Sequence, residues 1–366
     1  MAELPYPYSY ERHIAEQAVQ RAVRATEHVR KNHIANTVAW KKDRSPVSLA
    51  DYASQVLLIA GIHEAFPNDC FVGEETADDF EQTPTLQRQV WELISSLRSG
   101  DDNRDDALAW PESADEMVQL LELSAGESSS QGRVWTMDPI DGTMTYLDGT
   151  QYTVVATLLV DGVEQLGVIG CPRLAMDDAK AAGCDWEPVG ADERGCMVSA
   201  VRGRGVHIRH LSGDDTLQPA RAVPARSQTV DLPTLRYAEN SRSVRPLLPE
   251  RYRIAPLLGG SWNPMQICST QLRYVVCALG RCDVLTRFPA SQSDNAYVWD
   301  HAGGMLIFAE VGGRTTDLEG KEIDCSVGRM LNRNVGTLAA PAAVHAAVLG
   351  ATRRVLEEFS DYKLNW

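Results

Sequence analysis

The sequence predicts an α/β protein in two parts: an α+β N-terminal part around an antiparallel sheet, and a C-terminal part around a mixed or parallel sheet covered by helices. Three observations lead to this. Between residues 133 and 202 several β-rich stretches follow one another, two of them joined by Asp161-Gly162, a two-residue hairpin signal. Residues 212–232, with Pro, Asp and Ser, then interrupt the pattern. Beyond them helical and strand-like segments alternate, as in layered α/β folds. A length of 366 residues fits about two domains, placed at 1–225 and 226–366.

Each element has a local reason. Residues 11–36 read as a helix, because Ile14, Ala18, Ala22, Ala25 and Val29 recur at steps of three or four. Ser48-Leu-Ala-Asp51 has the spacing of a helix start, and the helix runs to about Phe66, before Pro67. Cys70–Gly73 is a short strand ending in Glu74-Glu75. Residues 76–131 lose the pattern and gather acidic, Ser and Pro residues around helix-like stretches, so they read as a variable insertion on the surface near a site mouth. Val134–Met137 is a strand followed by a turn; Tyr152–Val160, Val163–Gly170 and Gly195–Arg202 are further strands. After the break come helix Thr270–Leu279, strand Cys282–Arg287, helix Asp300–Glu310, strand Asn334–Ala339 and helix Pro341–Phe359.

Composition narrows the function. Lys and Arg total 35 against 50 Asp and Glu, a formal net charge of −15. Such a chain is a poor partner for a nucleic-acid duplex or an anionic membrane, both of which are held by Lys and Arg. The eight cysteines are scattered, without a C-x-x-C pair or zinc spacing, and the N-terminus lacks the charge and hydropathy pattern of a signal peptide. No run of about 18 apolar residues is present, so the expectation is a reduced, cytoplasmic, soluble protein.

Three acidic positions fall where elements end: Glu74-Glu75 after a strand, Asp138 and Asp141 around Asp138-Pro-Ile-Asp-Gly-Thr143, and Asp300 opening an apolar helix. Element ends face the crevices where layered folds bind ligands. Pro139 stiffens its turn, so Asp138 and Asp141 can face one side, and two carboxylates held together favour a divalent cation between them. Oxygen-only donors suit Mg²⁺. Gly142 and Thr143 offer backbone N–H groups and a hydroxyl to a phosphate. Each feature alone also has a plain reading: an Asx-turn with a capping Thr, a solvated strand end, and a helix N-cap at Asp300.

Taken in order, Lys41-Lys-Asp-Arg-Ser-Pro-Val-Ser-Leu-Ala-Asp51, Gly73-Glu-Glu75, Asp138-Pro-Ile-Asp-Gly-Thr143 and Trp299-Asp-His-Ala-Gly303 resemble the motifs of the inositol monophosphatase superfamily of lithium-sensitive, Mg²⁺-dependent phosphatases. Leu166-Gly-Val-Ile-Gly-Cys-Pro172, Gln271-Leu-Arg-Tyr-Val-Val-Cys-Ala-Leu-Gly280 and Val311-Gly-Gly-Arg-Thr-Thr-Asp317 are most similar to the 3'(2'),5'-bisphosphate nucleotidases of fungal and plant type. The resemblance implies a layered αβαβα sandwich of the inositol monophosphatase/fructose-1,6-bisphosphatase type. It also implies removal of the 3'-phosphate of adenosine 3',5'-bisphosphate, with 3'-phosphoadenosine 5'-phosphosulfate as a further substrate. Glu74, Asp138, Asp141, Asp300 and the Ile140 carbonyl would hold two or three Mg²⁺. Thr143, supported by Asp51, would orient the attacking water, which Glu74 also contacts through its metal. Thr270, Arg273 and Arg287, with Gly142 and Thr143, would bind substrate phosphates.

Two features depart from the nucleotidase pattern. Met144 and Asp148 stand where a Lys and an Arg are common, and Glu239-Asn-Ser-Arg-Ser-Val244 does not match the usual Ser/His-rich loop. A phosphatase of the same superfamily acting on an inositol phosphate or a specialised phosphorylated metabolite therefore remains the alternative, with a catalytically silent nucleotide-binding homologue as a third. The expected partner is a small phosphorylated molecule, met by a monomer or weak homo-oligomer.

Overall fold

Helix α1 (Ser9–Lys31) turns Ile14, Ala18, Ala22, Ala25 and Val29 inward, as their spacing requires. In the computed structural model the described residues are 6–32, 38–40, 46–81, 83–99, 108–176, 195–227, 229–240, 249–289 and 296–358. Residues 33–36 of the expected first helix, 41–45 of the first motif and 241–244 of the unmatched loop lie outside them. Strands β1 (Val38–Trp40) and β2 (Pro46–Ser48) pair antiparallel and lead into α2 (Leu49–Ala65). The start of α2 is a capping box: the Ser48 hydroxyl accepts from the Ala50 amide, while the Asp51 carboxylate accepts from the Ser48 amide at 2.8 Å. From Leu49 to Ile62 α2 is buried all round, so it serves as a core helix.

Strand β3 (Cys70–Gly73) is followed by α3 (Ala77–Glu81), α4 (Pro84–Ser99) and α5 (Ala114–Leu123). This corrects the reading of 76–131 as a surface excursion. Its described helices pack on α2 and bury Phe80, Leu86, Val90, Leu93, Ile94, Met117 and Leu121 in the same core. Among the described residues, exposed polar side chains such as Arg88, Glu92, Asp115 and Gln119 cover the outer faces of α4 and α5, while the acidic stretch 100–107 lies outside the described residues.

The chain then builds a sheet from β4 (Arg133–Asp141), β5 (Thr153–Val160), β6 (Val163–Cys171), β7 (Cys196–Val201), β8 (Val206–His210) and β9 (Arg221–Val223), with the short α6 (Thr143–Leu147) between β4 and β5. The order is β3-β4-β5-β6-β7-β8-β9, antiparallel except for the parallel pair β3 and β4. Strand β9 falls inside the stretch 212–232 that was read as a break. At the hairpin between β5 and β6, Asp161 and Gly162 both have positive φ, 51° and 78°, as the sequence signal requires.

A second sheet, β11-β10-β12-β14-β13, comprises β10 (Tyr237–Glu239), β11 (Met265–Gln266), β12 (Val284–Arg287), β13 (Gly313–Thr316) and β14 (Thr337–Pro341). It is mixed, since β10 runs parallel to β11 and β12 while β14 is antiparallel to β12 and β13. Its helices are α7 (Ile254–Leu257), α8 (Thr270–Ala278), α9 (Ala302–Glu310) and α10 (His345–Glu358). Two helix starts move from the sequence reading: α9 begins after Asp300 with His301 at its N-cap, and α10 begins at His345 rather than Pro341.

The packing gives five layers. Helices α1 and α2 cover one face of the large sheet, α8 and α9 fill the space between the two sheets, and α10 covers the far face of the small sheet. Three apolar clusters occupy the interfaces between these layers. The chain is therefore the αβαβα sandwich expected from the sequence. No helix among the described residues is long and apolar enough to cross a membrane.

Candidate metal centre

The parallel pairing of β3 and β4 sets the first half of the site. Gly73 lies opposite Met137, and the Glu74 amide donates to the Met137 carbonyl at 3.2 Å. Glu74 therefore leaves β3 beside Asp138. Gln55 on α2 fixes the next residue by clamping both the amide and the carbonyl of Glu75.

Asp138 and Asp141 are three residues apart, which in a regular strand puts them on opposite faces. Strand β4 instead runs through to Asp141 with a register shift: Asp138 is opposite Val155, and Asp141 is opposite Thr153. One extra residue is thus absorbed between them, and the bulge brings both carboxylates to one side. This replaces the expectation of a strand that stops at Met137. The Asp138 carboxylate accepts from the Ile140 amide at 3.1 Å, and the Ser54 hydroxyl on α2 donates to the Pro139 carbonyl at 2.9 Å, so the bulge is held from both sides. Gly142 follows with φ 97°, a left-handed turn into α6 that suits glycine alone.

Asp300 comes from the C-terminal part of the chain, in the turn before α9. Carboxylate oxygens of Asp138, Asp141 and Asp300 lie within 4.8 Å of one another. Asp138 is buried, and its carboxyl is pushed well above the usual range, first by desolvation and then by the charges of Glu74, Asp141 and Asp300. It also hydrogen-bonds the Glu74 side chain, so Glu74 joins the cluster by this contact. Asp141 is likewise raised by burial, against the opposing pull of Ser269, Gln271, Thr270 and Arg273. An all-oxygen set in which Asp138 is held protonated first by burial and then by its acidic neighbours fits a hard divalent cation, which would supply the missing positive charge.

The second group of predicted residues adjoins this cluster. The Thr143 hydroxyl is 3.1 Å from the Ile140 carbonyl and 3.4 Å from Asp51 Oδ1. Asp51 is fully buried, and its other oxygen accepts from the Ser48 amide and hydroxyl. One residue thus closes the α2 cap and faces Thr143.

Asp141 also does more than the sequence reading gave it. Its oxygens accept from the Ser269 hydroxyl at 2.7 Å and from the amides of Gln271 at 2.6 Å and Thr270 at 3.2 Å. It therefore seats the N-terminus of α8 against the end of β4. Thr270 accepts from Arg273 Nη2 at 2.8 Å, while the buried Arg273 Nε has no partner among the described residues. Arg273 and Arg287 both act on His301, whose ring is held neutral well below its ordinary range, first by burial and then by these two guanidinium charges. The three predicted phosphate ligands thus share one region. Met144 and Asp148, the departures from the nucleotidase pattern, are exposed on and just after α6.

Sequence reasoning missed the residues that join the two halves. Gln271 donates to the Trp299 carbonyl at 2.6 Å and accepts from the Gly304 amide at 2.7 Å, and Tyr274 pairs with His301 Nδ1 at 3.0 Å. Arg329 belongs with them, and Gln55 was missed as the clamp on Glu75 within the first half. Gln271 and Tyr274 lie inside a motif, Gln55 lies near one and Arg329 lies in none, and none of these positions reveals a contact 20 to 256 residues away.

A five-layer α/β sandwich with carboxylates from the large sheet and from the turn before α9 meeting between its layers defines a class, the phosphatase sandwich of inositol monophosphatase/fructose-1,6-bisphosphatase type. The chain belongs to the inositol monophosphatase family, whose model matches residues 10–357. It is 34% identical over 360 residues to a 3'(2'),5'-bisphosphate nucleotidase of Emericella nidulans, covering 96% of this chain and 99% of that one. It is 31% identical to the Schizosaccharomyces pombe enzyme of the same name, covering 95% and 96%. Among solved structures it is similar to a staphylococcal inositol monophosphatase, SaIMPase-II bound to 2'AMP, with a TM-score of 0.57 and 17% identity over 96% of this chain and 98% of that one.

Proposed function

We propose that this protein is a Mg²⁺-dependent phosphomonoesterase that removes the 3'-phosphate of adenosine 3',5'-bisphosphate to give AMP, and that it also accepts 3'-phosphoadenosine 5'-phosphosulfate. The observation that carries the reading is the convergence of Asp138, Asp141 and Asp300 beside Thr143 and Asp51, in a chain similar over nearly its whole length to enzymes named for this reaction. Glu74, Asp138, Asp141, Asp300 and the Ile140 carbonyl would hold two or three Mg²⁺. When bound, Mg²⁺ supplies charge neutralisation of the phosphate and a more acidic water.

The chain's own residues do the rest. Asp51, locked by the α2 cap, takes the Thr143 hydroxyl proton as a hydrogen bond, which turns a Thr143 lone pair toward the attacking water. Gly142 and Thr143 present the start of α6 to the scissile phosphate. Arg273 and Arg287, with Thr270, bind the second phosphate; the free Arg273 Nε and the neutral His301 leave that region net positive. The division into 1–225 and 226–366 is part of the same proposal, because the large sheet ends at Val223 and the small one begins at Tyr237. So are a monomer or weak homo-oligomer and, on the sequence reading alone, a cytoplasmic location.

Phosphate release from adenosine 3',5'-bisphosphate, inositol 1,4-bisphosphate and inositol 1-phosphate, with and without Mg²⁺, tests the reading. Release from the nucleotide with Mg²⁺ is expected. Silence with every substrate at every Mg²⁺ concentration rules out the phosphatase function for these compounds.

A further inference from the structure

Arg329 lies outside every motif, in the connection between β13 and β14. Its guanidinium donates to three backbone carbonyls: Gly73, the residue before Glu74, and Ser124 and Gly126 after α5. The same guanidinium lies 4.8 Å over the ring of Trp299, the residue before Asp300, and Trp299 is itself stacked on Tyr297 at 4.6 Å. The backbone takes part too. The Arg329 carbonyl accepts from the Val298 amide at 3.0 Å, and neighbouring Gly328 exchanges amide bonds with Ser128 at 3.1 Å each way.

These contacts join the two sheets at the residues flanking two different carboxylates. Glu74 comes from the large sheet and Asp300 from the turn before α9. Each is preceded by a residue that Arg329 grips, one through its carbonyl and the other through its ring. We propose that Arg329 is a positioning residue for the divalent-cation site, holding Glu74 and Asp300 at the spacing the cation needs. The role suits arginine: five N–H donors in a planar fork can serve three carbonyls while the flat face stacks on an indole, which a lysine ammonium cannot do. The guanidinium hydrogen bonds of Arg329 to Gly73, Ser124 and Gly126 all end on backbone carbonyls, so its hold on Glu74 passes through the backbone that Glu74 leaves from. Partners of this kind tune metal affinity.

The proposal rests on the metal-centre reading above, and the experiment separates the two. Mn²⁺ is titrated calorimetrically into wild-type, Arg329→Ala, Arg329→Lys and Asp283→Asn proteins without substrate. The Mg²⁺ dependence of turnover and KM at saturating Mg²⁺ are then measured for each. Arg329→Ala is expected to weaken Mn²⁺ binding and raise the half-saturating Mg²⁺ concentration by about 10- to 100-fold. Arg329→Lys should fall between it and wild type, and KM at saturating Mg²⁺ should stay unchanged. Asp283→Asn, which loses the ion pairs with Arg226 and Arg236 at the start of β12 and is destabilised away from the site, should keep wild-type metal affinity. Folded Arg329 variants that bind Mn²⁺ like wild type overturn the proposal; if the alanine variant does not fold, the lysine variant decides. If wild type itself takes up no Mn²⁺, the metal-centre reading falls and Arg329 loses its role with it.

Discussion

Asp138 is buried and faces Glu74, Asp141 and Asp300, so desolvation and these charges hold its carboxyl well above the usual range. Replacing it with Asn removes one negative charge while keeping the side chain's size and one acceptor for the Ile140 amide. The variant should stay folded, with a melting temperature without metal at or above that of wild type, while turnover falls by several orders of magnitude. Full activity in Asp138→Asn would remove the metal role from this residue. Asp141 should behave differently, because it also seats α8 through Ser269, Thr270 and Gln271. At this scale the sequence was informative: Asp138, Asp141, Asp300, Thr143 and Asp51 were each visible as motif residues. The second duty of Asp141 was not, since its partners are some 130 positions away.

At the scale of elements, the seating of α9 on the large sheet depends on close approach. A Cβ on Gly303 would lie 2.6 Å from Thr157 Oγ1, and one on Gly167 would lie 3.0 Å from the Gly303 carbonyl. Gly303→Ala is therefore expected to cost about 1–3 kcal/mol in chemical denaturation. It should also weaken metal binding, because Asp300 precedes the displaced helix end. Wild-type stability would mean that the sheet yields locally.

The start of β12, the central strand of the small sheet, offers a pH-dependent counterpart. Asp283 is partly desolvated, which opposes its ionisation, but Arg236 and Arg226 outweigh that and hold its pKa below the ordinary 3.8. A folded-state pKa below the unfolded one gives stability that is present above about pH 4 and lost as pH falls through the folded value. Asp283→Asn should thus cost about 2 kcal/mol at neutral pH. The difference from wild type should shrink in acid, where wild-type Asp283 is itself protonated; a difference independent of pH contradicts the pairing. Neither element-scale feature was legible in the sequence. Residues 76–131 show why: their helices are amphipathic and packed on α2, yet polar connections broke the periodicity that would have revealed them.

For the whole molecule, the formal charge of −15 and the inward-facing carboxylates point the same way. A cation that binds only the folded state adds stability by mass action, about 2.7 kcal/mol at 100 times its dissociation constant. Mg²⁺ should therefore raise the melting temperature of chelator-treated protein, and Asp138→Asn should abolish the increase. An unchanged wild-type melting temperature at saturating Mg²⁺ would count against a native-state cation site.

The order of helices and strands and the motif carboxylates are legible in the chain alone, because periodicity, turn signals and motif spacing are local and survive without neighbours; the family and its layered sandwich followed from the resemblance those motifs carry. The tertiary structure alone decided how those residues act together. It is the bulge in β4 that turns Asp138 and Asp141 to one side, the parallel pairing of β3 and β4 that sets Glu74 beside Asp138, and Gln271 and Arg329 that tie the ends of β4 and β3 to Trp299, the residue before Asp300. Each of these is a pairing register or a contact between segments far apart in the chain. Register and packing are settled by the whole core folding at once, so no single stretch of sequence records them.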